Sequence, residues 1–121
     1  MPISYIIDMK QQTVFTQVSG IVKGDDMIAH QNCLRGDPQF DPCMKELINC
    51  LEQENTDIDS VDKLFTVANS PWGDKAKRAL VADNKLIIGL SRMFQLHMTG
   101  EHGNIEIFKT VKEAKDWLRI Q

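Results

Sequence analysis

Short β-rich runs alternate with helix-spaced apolar segments along the whole chain, and this alternation narrows the available folds more than any other feature. Ile3–Ile7 is a β-rich run and Asp8–Gln12 reads as a turn. Thr13–Ser19 then alternates, with Val14, Thr16 and Val18 on one side and Phe15 and Gln17 on the other, as a strand does. The two runs predict an opening hairpin. Gly24-Asp25-Asp26 predicts a helix start, where carboxylates meet free N–H groups and the positive dipole end. Met27, His30 and Leu34 share one face of that helix, and Gly36 suits a left-handed stop. Asp37-Pro38 and Asp41-Pro42 mark a turn-rich connection.

Lys45–Leu51 fits a strand by its length and flanking turn signals, although the pattern alone also fits a helical turn. Asn55–Asp59 reads as polar loop. Asp59 or Ser60 then caps a helix carrying Val61, Leu64, Phe65 and Ala68, and Pro71 within Asn69–Gly73 ends it. Lys77–Ala82 is the next strand. Asp83 or Asn84 caps the longest helix, running to about Met98, with Leu86, Leu90, Met93, Phe94 and His97 as its stripe and Ile87 and Ile88 widening it. Gly100–Asn104 reads as a turn and Ile105–Lys109 as the last strand. Thr110 and Glu113 fit a capping box before a helix bearing Val111, Ala114, Trp117 and Leu118. The order β-β-α-β-α-β-α-β-α predicts an α/β domain with about four helices. Its mixed, mostly parallel sheet is opened by the β-hairpin and continued by right-handed crossovers.

With 121 residues, 42% of them hydrophobic and 26% charged, the sequence reads as one globular domain over 1–121 rather than a disordered chain. The net charge of −3 argues against a nucleic-acid partner, which would need a phosphate-neutralising surface. Charges segregate along the chain. Glu46, Glu52, Glu54, Asp57, Asp59 and Asp62 run without a cation, whereas Lys75, Lys77, Arg78 and Lys85 oppose only Asp83. Both groups read as solvated loops and helix faces. Cys33, Cys43 and Cys50 are odd in number and form no CxxC, so reduced thiols in a cytoplasmic protein are expected. MPISYIID lacks the pattern of a secretory signal, and no apolar run approaches the roughly 20 residues of a membrane span.

Three segments carry a resemblance: Ala29–Pro42 (AHQNCLRGDPQFDP), Lys77–Gln95 (KRALVADNKLIIGLSRMFQ) and Ile105–Leu118 (IEIFKTVKEAKDWL). With them the chain resembles, over nearly its whole length, the STAS/SpoIIAA-like superfamily, and within it a branch of small uncharacterised bacterial proteins. The resemblance implies a (βα)n domain that acts by binding proteins, without catalysis. It also implies an Asp-Ser-Ser-Gly-like turn before the second core helix, its second Ser being a phosphorylation switch. Here the matching stretch is Ile58-Asp59-Ser60-Val61-Asp62, which places Val61 at the acceptor and Asp62 at the glycine. Phosphate beside Asp57, Asp59 and Asp62 would meet like charge. Ser60 therefore reads as a cap, with a switch role as the alternative.

Candidate chemistry is sparse. No GxSxG elbow, phosphate loop or GxGxxG fingerprint is present. Cys33, late in a helix, and Cys50, in a strand, lack thiolate-activating surroundings, and Cys43 in its turn has no evident partner. His97, Glu101 and His102 cluster loosely near a turn, and His30 reads as a packed histidine; no metal and no cofactor are expected. Asp83, Asn84 and Lys85 at a helix start could hold an anion or simply cap the helix, with Arg92 two turns on either paired to a carboxylate or exposed. Trp72 in its loop closes over the core or anchors a partner. Met93 and Phe94 suggest a face for a homodimer. The expectation is a non-catalytic interaction or regulatory module, probed against the alternative of a domain binding a small anionic or lipid-like molecule.

Overall fold

In the computed structural model, residues 2–56, 70–98 and 103–121 are described. Five strands, β1 (Ile3–Asp8), β2 (Thr13–Val22), β3 (Lys45–Thr56), β4 (Lys77–Val81) and β5 (Asn104–Phe108), form one sheet in sequential order. β1 and β2 pair antiparallel as the expected hairpin, and every later neighbour is parallel. Three helices are described: α1 (Gly24–Gly36), α2 (Lys85–Met98) and α3 (Val111–Leu118). The helix expected over Val61–Ala68, Ser60 and the Glu101–His102 pair lie outside the described residues.

Two strands run longer than the sequence suggested. β2 continues past Ser19 because Gly20, at φ +66°, absorbs an irregularity instead of ending the strand. Its extension pairs Ile21 and Val22 with Asn55 and Thr56, so β3 outlasts Leu51 and the expected loop at Asn55 begins inside the sheet. Gly36 is also not a left-handed stop. It is the last helical residue, and Asp37 leaves extended at φ −83°, ψ 119°. Pro38 accounts for this, since a residue before proline is pushed out of the helical region.

Period-two alternation sorts the sheet residues between two cores. Val18, Ile48 and Leu80 meet Met27 of α1 and Ile87, Ile88 and Leu90 of α2 on one face. Leu47, Ala79 and Val81 meet Ala114 and Leu118 of α3 on the other. Thr110 Oγ1 accepts the Glu113 N–H at 3.2 Å and donates to its carboxylate at 2.9 Å, completing the expected cap of α3. At α1 the Asp26 carboxylate accepts the Lys23 N–H at 2.9 Å. The stripe of α2 is rotated from the expected one. Ile87 and Ser91 are buried, whereas Leu86 and Met93 are 50% and 45% exposed.

A polar floor beneath an apolar cavity

Glu46 and Arg78 stand opposite each other in the parallel register of β3 and β4, so their side chains emerge side by side on the face covered by α1 and α2. Both are buried. Arg78 Nε donates to Glu46 Oε1 at 2.8 Å, and Thr16 Oγ1 of β2 donates to Glu46 Oε2 at 2.7 Å. Each carboxylate oxygen thus has a donor from a different neighbouring strand, as an ion pair out of water requires. The guanidinium carbon lies 4.9 Å from the Trp72 ring centre and 5.6 Å from that of Phe94. Cation–π contact in such a desolvated setting adds to the hold on the charge. This overturns the reading of both residues as solvated. The signal was present: in KELINCL, Glu46 shares its side with Ile48 and Cys50, and in KRALVA, Arg78 shares its side with Leu80 and Ala82.

Above this floor, between the sheet and helices α1 and α2, is a cavity of about 120 Å³. Val18, Ile48 and Leu80 of the sheet, Met27 of α1, and Ile87 and Leu90 of α2 give it apolar walls. Thr16, Glu46, Arg78, His30 and Ser91 supply polar surface, with Gln31, Gln53 and Thr56 adding to it. A second hollow of about 200 Å³ lies between β1 and α1, and Ile3 and His30 line both spaces. An engineered apolar cavity of about 150 Å³ holds benzene, so the first space, slightly smaller, suits a group of about six heavy atoms.

Burial holds the His30 imidazole below its ordinary pKa, with Glu46 pulling upward and Arg78 downward. Its ring meets Tyr5 edge-on at 5.5 Å. At neutral pH it is therefore uncharged. Above pH 6.5 the imidazole is neutral in both the folded and unfolded chain and adds no slope to stability. As pH falls through that value, the unfolded chain takes up the proton first, and stability is lost down to the lower folded value. A His30→Gln variant loses this portion of the slope, which urea unfolding across the range measures.

The other candidate groups do not assemble into a reactive centre among the described residues. Burial, reinforced by Glu46, pushes the Cys50 thiol up to about 12, and Cys33 and Cys43 are exposed. Neither Ser91 nor His30 makes a side-chain hydrogen bond, so the two form no nucleophile–base pair. Among the described residues, no three His, Cys, Asp or Glu side chains converge as a metal site would need. Asp83, Asn84 and Lys85 are exposed, and Asn84 Oδ1 accepts the Leu86 N–H at 2.8 Å as a helix cap. Arg92 is exposed on α2. Trp72 is buried at 4% exposure and stacks edge-on with Phe40 at 4.9 Å, so it closes the core instead of projecting outward. Phe94 faces Arg78, while Met93 reaches both solvent and the cavity.

The sequence matches no family model and no curated protein. Solved structures do match. An uncharacterised protein of the DUF3478 family from Shewanella loihica, described as having a SpoIIAA-like fold, superposes with a TM-score of 0.59 at 17% identity. The alignment covers 96% of this chain and 93% of that one. The fold is SpoIIAA-like. An anti-sigma factor antagonist from Mycobacterium paratuberculosis superposes with a TM-score of 0.64 at 14% identity, covering 97% of this SpoIIAA-like chain and 94% of its own. Among the described residues, no helix of this SpoIIAA-like chain is long and apolar enough to cross a membrane.

Proposed function

We propose that this SpoIIAA-like chain is a non-catalytic regulatory module of STAS-like type that binds a small, mostly apolar molecule between the sheet and helices α1 and α2. One observation carries the reading: an apolar-walled cavity of about 120 Å³ over a floor of buried hydrogen-bonding groups. Small-ligand sites commonly combine these two features, apolar walls and a few placed polar groups. Three free cysteines fit a reducing cytoplasm as its setting.

A second reading rests on a different surface. Leu86, Met93 and Leu96 expose 50%, 45% and 82% of their surface along α2. A second copy of the chain covering them would make a homodimer, and a regulatory protein partner would use the same face. The likeness to an anti-sigma factor antagonist supports the protein-partner form of this reading.

A native mass measurement on protein purified without denaturation addresses both. The ligand reading predicts a chain carrying one small organic adduct, released by denaturation. The dimer reading predicts twice the subunit mass. A bare monomer that gains no adduct when exposed to an extract of small metabolites contradicts both.

A further inference from the structure

Among the described residues, three polar side chains that line the cavity, Ser91, His30 and Gln31, make no side-chain hydrogen bond, and Ser91 is the most deeply buried of them. Ser91 lies on the inner face of α2 at 5% exposure and lines the space. Its hydroxyl makes no hydrogen bond, not even back to its own helix. The half-buried His30 imidazole of α1 lines the same space and makes none either. A buried polar group without a partner forfeits its hydration for nothing in return, so such groups are usually satisfied by something. By contrast, both oxygens of Glu46 are already taken by Thr16 and Arg78.

The charge around the space decides what that something can be. The Glu46 carboxylate and Arg78 guanidinium are joined at 2.8 Å. His30 is neutral, and Ser91 carries no charge. An anion entering the cavity would lose its hydration and find the neighbouring cation already engaged by Glu46, which is unfavourable. A neutral group that both donates and accepts would satisfy Ser91 and His30 at lower desolvation cost.

We propose that the cavity selects an uncharged amphipathic molecule of about six heavy atoms, with a hydroxyl or carbonyl head held by Ser91 and His30 and an apolar body against Ile48, Leu80 and Leu90. This deepens the ligand-binding reading above and rests on it. It also replaces the anionic alternative with a neutral one. Ser91 and His30 are specificity-determining residues, since they would reject a molecule lacking a head to pair with them or carrying a full charge.

The test is an NMR titration of the full chain with 1-hexanol and with hexanoate at pH 7.5, following backbone amides around Ser91, His30 and Thr16. The two probes share an apolar body and differ at the head. Hexanol should shift these amides saturably and bind at least tenfold more tightly than hexanoate. Ser91→Ala, which removes one oxygen, should weaken hexanol by roughly three- to tenfold and leave the weak hexanoate response unchanged. Hexanoate binding as tightly as hexanol in wild-type protein would overturn the proposal without needing any variant. An unchanged hexanol affinity in a folded Ser91→Ala chain would overturn the role of Ser91. If neither probe moves these amides, the ligand reading itself fails, and this inference with it.

Discussion

Replacing Arg78 by Met should lower unfolding free energy by about 3–5 kcal/mol, the usual cost of stranding one member of a buried ion pair. Glu46 is 1% exposed and would keep only the Thr16 hydroxyl as a donor. The cation–π contacts to Trp72 and Phe94 would also go. The side-chain exposures of the pair are 6% and 1%, so solvent screening does little to reduce the effect. The double variant Glu46→Leu/Arg78→Met should recover most of the loss, because well-packed apolar side chains of similar volume often replace a buried pair without penalty. Urea unfolding of the four members of this cycle gives the coupling directly. A loss in the double variant equal to the sum of the two single losses would mean that the pair is not coupled as described.

Leu118→Ala should cost about 2–5 kcal/mol, as large-to-small changes at fully enclosed positions do. Leu118 has no exposed surface and packs with Leu47, Ala79, Val81 and Ala114. It is the main apolar anchor of α3, whose Trp117 leans on Phe108 at 5.6 Å and carries Lys77 at 4.4 Å. Loosening α3 should therefore shift Trp117 fluorescence before the rest of the sheet unfolds. Leu118 lies on the face opposite the cavity, so hexanol affinity in the folded variant should be unchanged. A change in affinity matching the change in stability would show that the two faces are not independent.

The fold was legible because its signals are local. The Val14–Val18 alternation, the Asp26 start of α1 and the Thr110–Glu113 box each act within a few residues, and the hairpin and helices formed as those signals require. The misjudged boundaries have non-local or context causes. β3 extends through pairing with a bulged β2, and Pro38 overrides Gly36. The site was harder to read for a related reason. Glu46 and Arg78 are separated by 32 residues and become partners only through strand register. Read as charge runs they looked solvated; read by period two, each points inward. Ser91 was hidden by a stripe drawn through Leu86 and Met93, one helical position away from the buried line through Ile87. The cavity itself is a property of packing among four strands and two helices, and no single segment encodes it.

Thermal unfolding with and without 1-hexanol, in wild-type protein and in a Val18→Phe variant that places a ring in the cavity, tests whether the space is a binding site. A ligand that binds only the folded chain stabilises it by about 2.7 kcal/mol at one hundred times its Kd. The wild-type midpoint should therefore rise with hexanol and the midpoint of the filled variant should not. Equal responses in the two proteins, or none in wild type at any concentration, would contradict the site.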